Sequence, residues 1–163
     1  MTNPPQFTIT PYTPADHDAL LALAPRLTEN IPPWFDRDAF LTAALNWVES
    51  SVKNIGPDQA VYVARDPNQL PIGFITVTHT RHFTGADHAY IGELVVAQQH
   101  ENQGIGRALI SAAEAWATDH NLTYITLETG GYNNAHARNF YAHLGYHEDT
   151  IKLGKRLPSP QPE

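Results

Sequence analysis

Residues 89–96 read as a β-strand that runs through a short connection into Asn102, Gln103, Gly104, Ile105 and Gly106, where a helix begins and continues to about His120. A strand, a glycine turn and a helix in that order leave the first backbone N–H groups of the helix without intrahelical acceptors, which makes a ready anion site. Glycine at 104 and 106 permits a tight turn and close approach of a phosphate, with no Cβ in the way. Ile105, Ala108, Leu109, Ala112, Ala113 and Trp116 recur at helical spacing, so the helix has an apolar face and docks firmly. The same glycines would also serve a purely structural connection, and the turn by itself leaves both readings open. Two other phosphate motifs do not fit. Leu109 stands where a dinucleotide fingerprint needs a small residue, and Arg107 followed by Ala108 stands where a Walker-type loop needs Lys then Ser or Thr.

The elements around this unit follow from periodicity and punctuation. Residues 7–12 alternate as a half-buried strand, and Thr13 and Pro14 then supply a cap and a first-turn proline for a helix carrying Leu20, Leu23 and Leu27. A loop with Ile31, Pro32, Pro33 and Trp34 leads to a helix over about 36–51 with Phe40, Ala44, Leu45 and Val48 on one face. Residues 60–64 and 70–80 read as an antiparallel hairpin across the turn at 66–69. After the glycine turn and its helix come a strand at 123–128, a helix over about 134–144 and a last extended segment ending near Leu157. Antiparallel strands first and a strand-helix-strand-helix unit afterwards imply an α/β arrangement, a mixed sheet with helices on its faces. One domain over 1–157 with a disordered tail at 158–163 is the expected organisation for 163 residues.

Composition excludes several classes. The net charge of −7 argues against general nucleic-acid binding, which draws on Lys and Arg neutralising phosphates, and favours a cationic partner such as an amine. An anionic cofactor stays compatible, because charge beyond about 8 Å is largely screened at physiological salt. No apolar run approaches the roughly 20 residues of a membrane span, and the start of the chain lacks a secretory pattern, so a cytoplasmic location is expected. There is no cysteine, which removes disulfides, thiolate metal ligands and a cysteine nucleophile. His79, His82 and His88 cluster near strand ends without a clear ligand set, and no metal is expected.

Residues 94–109, from Leu94 through Glu101 and Gly106 to Leu109, resemble the acetyl-CoA motif of the GNAT family of N-acetyltransferases. Downstream, Asn134 with Ala137, Tyr141 and then Leu144, Gly145 and Tyr146 is similar to the family's later signature. The match is good over residues 60–157, while 1–59 agree in element order only. One position departs: the family usually has Gln or Arg where this chain has Glu101. The resemblance implies a mixed, mostly antiparallel sheet of six to seven strands flanked by about four helices and splayed at the acyl-CoA site. It further implies that the backbone of Leu94, Val95 and Val96 holds the pantetheine arm of acetyl-CoA, that Glu101, Asn102, Gln103, Gly104, Ile105 and Gly106 hold the pyrophosphate, and that Asn134 contacts the CoA arm. Arg107 and Arg138 are phosphate candidates by charge alone. Family members are often dimers, so a homodimer is compatible.

Acetyl transfer from a thioester to an amine needs a neutral nucleophile and a stabilised leaving thiolate. An alkylamine of pKa about 10.4 costs roughly 4–5 kcal/mol to deprotonate at pH 7, and a carboxylate helps by positioning the ammonium and passing its proton to water. Glu93, on the strand before the turn, is the first candidate and Glu128, at the end of the next strand, the second. Each is also readable as a solvated or ion-paired strand-end carboxylate, Glu128 more so than Glu93. Tyr141 occupies the family position that faces the CoA sulfur; a phenol of ordinary pKa, about 10, lies within roughly 2 kcal/mol of a thiol near 8.5. Its helical spacing with Ala137, Phe140 and Leu144 also suits a core residue. Trp34 and Phe35 are read either as packing or as the wall of the acceptor pocket. The expected activity is acetyl-CoA-dependent transfer to a primary amine in a ternary complex, the acceptor being a small molecule. Transfer to a peptide or protein N-terminus or lysine, and a non-catalytic acyl-CoA-binding module, are the alternatives.

Overall fold

Strand β1 (Thr8–Pro11) is followed by α1 (His17–Leu23), α2 (Arg37–Lys53), the strands β2 (Gln59–Arg65), β3 (Pro71–Arg81) and β4 (Asp87–Val96), then α3 (Ile105–Asp119), β5 (Ile125–Leu127) and α4 (Ala135–His143). This computed structural model describes residues 6–130, 132–155 and 157–158. Spatial order equals chain order, with antiparallel pairing throughout except for β4 and β5, which run parallel across α3. The expected hairpin forms from β2 and β3. Its turn is held by the Asp66 carboxylate, which accepts from the N–H groups of Asn68 (2.9 Å) and Leu70 (2.8 Å).

The sheet is covered on both faces, which is why β3 is almost continuously apolar over 72–77. On one face Ile75, Val77 and Ile91 pack against Ile105, Leu109, Ile110 and Ala113 of α3; on the other Val61, Val63, Phe74 and Val95 pack against Leu20, Ala24 and Val48. A side chain as buried as Leu109 contributes about 1.5–3 kcal/mol, so these two layers fix where the intervening strands end.

Two expectations are corrected. The helix expected after Pro14 is broken into 3-10 turns at Pro14–Asp16 and Ala24–Thr28 around a seven-residue α1. Pro25 has no N–H for the next intrahelical bond, so the α-helix stops before it. Among the described residues the sheet has five strands, not six to seven, and those of the extended segment expected to end near Leu157 pair with no strand. Its alternation at Ile151 and Leu153 looks like a strand, yet these side chains are 70% and 89% exposed. Alternation alone does not make a strand without a neighbour's hydrogen bonds and a face to bury. Of the tail expected at 158–163, all but Pro158 lies outside the described residues.

Candidate active site

β4 and β5 touch only at Ala89, Tyr90 and Ile91, opposite Ile125, Thr126 and Leu127. Beyond Ile91, β4 continues to Val96 bonded to β3 alone, so the edge carrying Leu94, Val95 and Val96 is open toward the loop after β5. An extended, amide-bearing arm could add there as a strand adds to a sheet. The edge leads to the glycine turn. The Glu101 N–H bonds Gln98 O (3.3 Å), and the next amide with a backbone acceptor is that of Ala108, bonded to Gly104 O at 3.0 Å. The amides of 102–107 are therefore left for a ligand. Gly104 sits at φ +83°, the left-handed region that costs other residues about 1–2 kcal/mol, and that conformation turns the chain into α3. Gly106 has a different reason: a Cβ there would lie 3.3 Å from Phe140 Cζ, so it admits α4 against α3. A diphosphate group fits a turn of this kind, with several outward amides at a well-docked helix N-terminus.

Glu101 does not stand as a lone negative charge in this turn. Its carboxylate is paired with the Arg26 guanidinium, which also lies 3.2 Å from Glu29. Arg107 lines a cleft of about 380 Å³ between α3 and α4 together with His136, Asn139, Phe140 and His143. Arg138 is ion-paired with Glu148 instead. Asn134 stands at the N-cap position of α4 without a side-chain cap bond, and its Nδ2 donates instead to Thr129 Oγ1 (3.0 Å) in the loop after β5.

The two candidate bases differ in setting. Glu93 is 6% exposed, and its Oε2 accepts from Ser51 Oγ (3.1 Å) at the end of α2 and from the Thr76 hydroxyl. Both bonds fall on Oε2. Among the described residues Oε1 accepts none and no sealed side-chain oxygen lacks a partner, so Oε1 is not sealed among them. Glu128 is exposed just past β5. Tyr90, which the sequence did not single out, is within electrostatic reach of both. Burial raises its phenol above the ordinary value, and the Glu128 and Glu93 carboxylates raise it further.

A β-bulge causes this convergence. Ile75 opposes Leu94 and Val77 opposes Ile91, so Thr76 faces two residues, Gly92 and Glu93. By strict alternation Tyr90 and Glu93 would point to opposite faces. The extra residue reverses parity, which is why Ile91 packs on the α3 side and Val95 on the side of α1 and α2. Gly92 is needed for the close approach, because a Cβ there would meet Thr76 Oγ1 at 2.8 Å.

Tyr141 packs against the α3 layer, with Phe140 and Tyr146 rings at 5.2 and 5.8 Å. Burial pushes its phenol up to about 12, which corrects the expectation of a near match to the thiol. Full proton transfer to a thiolate whose acid is near 8.5 would now cost roughly 5 kcal/mol, while a protonated phenol remains a good hydrogen-bond donor. Trp34 and Phe35 are exposed; Trp34 meets the edge of Tyr132 at 5.6 Å, a ring the sequence had not flagged. His79 lies between Asp58 and Asp87 (3.2 and 3.4 Å), and among the described residues no three metal-ligating side chains converge.

A sheet edge that can accept an extended arm and ends at a diphosphate-sized turn matches the shape of coenzyme A, and the class so defined is the acyl-CoA-dependent acyltransferase. The chain belongs to the acetyltransferase (GNAT) family, whose model matches residues 21–146. It is 30% identical over 125 residues to streptothricin acetyltransferase of Escherichia coli, a match spanning 69% of each chain. A putative acetyl transferase from Pyrococcus furiosus superposes with TM-score 0.76 at 20% identity, covering 93% of this chain and 99% of that one. An aminoglycoside N-acetyltransferase in complex with CoA gives 0.67 at 16% identity over 93% and 94%. The chain is therefore an N-acetyltransferase with acetyl-CoA as cosubstrate.

Proposed function

We propose that this N-acetyltransferase acetylates a primary amine of a small cationic molecule by direct transfer in a ternary complex, with Glu93 as the base and Tyr141 as donor to the leaving sulfur. The observation that carries the reading is the Glu93 carboxylate, fixed through Oε2 by Ser51 and Thr76 while Oε1 has no donor among the described residues. A buried carboxylate held this way orients an ammonium and relays its proton to water without itself needing a high pKa. Acetyl-CoA supplies the activated acyl group and a thiolate leaving group. Leu94 to Val96 would hold its arm, the amides of 102–107 with the Arg107 guanidinium its phosphates, the Glu101 amide being taken by Gln98 O, and Asn134 the arm's other side. Tyr141, kept protonated by burial, donates a hydrogen bond toward the sulfur.

Two observations favour a small acceptor over a peptide. The Trp34 and Tyr132 contact bridges the gap between the loop before α2 and the loop after β5, where a peptide groove would have to run. Relatives carry names for streptothricin and aminoglycoside acetylation. Pairing of Glu101 with Arg26 weakens the case for a non-catalytic module. Thiol release from acetyl-CoA with an amine panel is the test, run on Glu93→Gln and Glu128→Gln. Glu93→Gln should lose the acidic limb of kcat/KM and about 10²-fold or more in rate; an intact acidic limb would reject Glu93, and its loss in Glu128→Gln instead would transfer the role.

A further inference from the structure

The cleft of about 380 Å³ between α3 and α4 is lined by Arg107 from the first turn of α3 and by one stripe of α4, in which Asn139, Phe140 and His143 follow His136 at helical spacing. Gly106 fixes where this cleft lies relative to the rest of the cosubstrate site. A Cβ built there would lie 3.3 Å from Phe140 Cζ and 3.9 Å from Val96 Cγ2, so the end of the open β4 edge, the glycine turn and the cleft wall converge on one residue. Arg107 belongs to both turn and cleft. Its amide is the last free one before that of Ala108, which bonds Gly104 O, and its side chain lines the cleft.

The charge of the cleft is opposite to that of the chain around it. The sequence has 17 Asp and Glu against 10 Lys and Arg, yet among the described residues no carboxylate lines this space. Arg26, Arg65 and Arg138 are each ion-paired, whereas Arg107 makes no ion pair among the described residues, which leaves its planar fork of donors for a ligand. His143 Nδ1 lies 2.6 Å from Asn139 O, a contact that only an Nδ1–H can make, so the ring is fixed and Nε2 is left to accept from an amino group or, when protonated, to donate to a phosphate. Phe140 adds an apolar wall, and the Asn139 amide both donates and accepts. A guanidinium, two imidazoles, an amide and an aromatic wall around such a space suit a purine nucleoside carrying a phosphate.

Coenzyme A carries its diphosphate between two parts, the pantetheine arm on one side and 3′-phosphoadenosine on the other. With the arm along the β4 edge and the diphosphate on the amides of 102–107, the nucleoside leaves the turn at the α3 end, where Arg107 stands. Resting on that reading of the turn, we infer that the cleft between α3 and α4 takes the 3′-phosphoadenosine end of acetyl-CoA, with Arg107 on the 3′-phosphate, and makes the enzyme selective for 3′-phosphorylated CoA. The guanidinium then serves the 3′-phosphate, while backbone amides hold the diphosphate.

The experiment is equilibrium binding to the full chain. CoA and 3′-dephospho-CoA, which differ only in the 3′-phosphate, are titrated by calorimetry against wild type, Arg107→Gln and Asn139→Asp. Wild type should bind CoA about ten-fold tighter or better than 3′-dephospho-CoA, the size expected of one charge-assisted phosphate contact. Arg107→Gln should bring that ratio close to one by weakening CoA alone. Asn139 is exposed, so Asn139→Asp spares the core while placing a carboxylate in the cleft, and it should lower the same ratio. Equal binding of the two forms by wild type overturns the inference, as does a ratio kept in both variants. An Arg107→Gln variant that loses both forms in the same proportion also overturns it and assigns the guanidinium to the diphosphate. Binding of neither form removes the reading of the turn and the inference with it. Thiol release is scored separately: its absence with every amine removes the transfer reading, and the binding ratio still decides the cleft.

Discussion

The guanidinium of Arg26, on the 3-10 turn after α1, is ion-paired with Glu101, the acidic residue at the head of the glycine turn. The pair puts a positive charge beside a turn whose sequence seemed to place a negative one there. Arg26→Gln should therefore raise KM for acetyl-CoA by about ten-fold with a smaller effect on kcat, since an unpaired carboxylate near a pyrophosphate is worth roughly 1–2 kcal/mol of repulsion. Adding Glu101→Gln to that variant should recover most of the loss. Equilibrium binding of acetyl-CoA to the two variants checks it, and a double variant no better than the single one would reject the pairing argument.

Asp16 is 2% exposed and receives both Arg65 Nη1 and Nη2 at 2.7 Å, as well as the Thr13 N–H at 2.8 Å and hydroxyl at 3.0 Å. Burial pushes its pKa up, but the hydrogen bonds from Arg65 and Thr13 outweigh it and hold the carboxyl below its ordinary value near 3.8. A depressed folded-state pKa adds stability that is present above the unfolded value and is lost as pH falls through the folded one. Asp16→Asn should cost about 3 kcal/mol at neutral pH, and the difference from wild type should shrink below about pH 4. Urea melts across that range would show a constant gap if the pair were not responsible.

Tyr141→Phe removes only a hydroxyl. With the phenol pushed up to about 12, the group stays protonated through the working range, so kcat should fall by about ten-fold without adding or removing a basic limb near pH 10. Acetyl-CoA binding should change little. An unaltered kcat measured at saturating acetyl-CoA would remove Tyr141 from the chemistry.

Gly92→Ala tests the bulge. The new Cβ would sit 2.8 Å from Thr76 Oγ1, so the hydroxyl must move off Glu93. The expected result is a modest stability loss of about 1 kcal/mol with a larger drop in kcat/KM for the amine than for acetyl-CoA. Equal losses for both substrates would point to general unfolding of the strand instead.

Residues 89–120 were legible because strand, glycine turn and amphipathic helix are local patterns: the turn, the docked face of α3 and the position of Gly104 depend on neighbours in the chain. The hairpin of β2 and β3 and the helix carrying Tyr141 were legible for the same reason. The extended segment beyond Tyr146 misled, since periodicity records a capacity to pair and not the presence of a partner.

The sequence by itself determined the order of the elements, the glycine turn ahead of α3 and the residue types available for acyl transfer. The tertiary structure alone decided which of them meet. A single extra residue opposite Thr76 turns Glu93 onto the face of Tyr90, and Ser51, Thr76, Arg26 and Tyr132 reach their partners across long stretches of chain. Side-chain alternation is fixed locally, but a bulge, an ion pair and a ring contact depend on strand register and layer packing, which only the assembled fold sets.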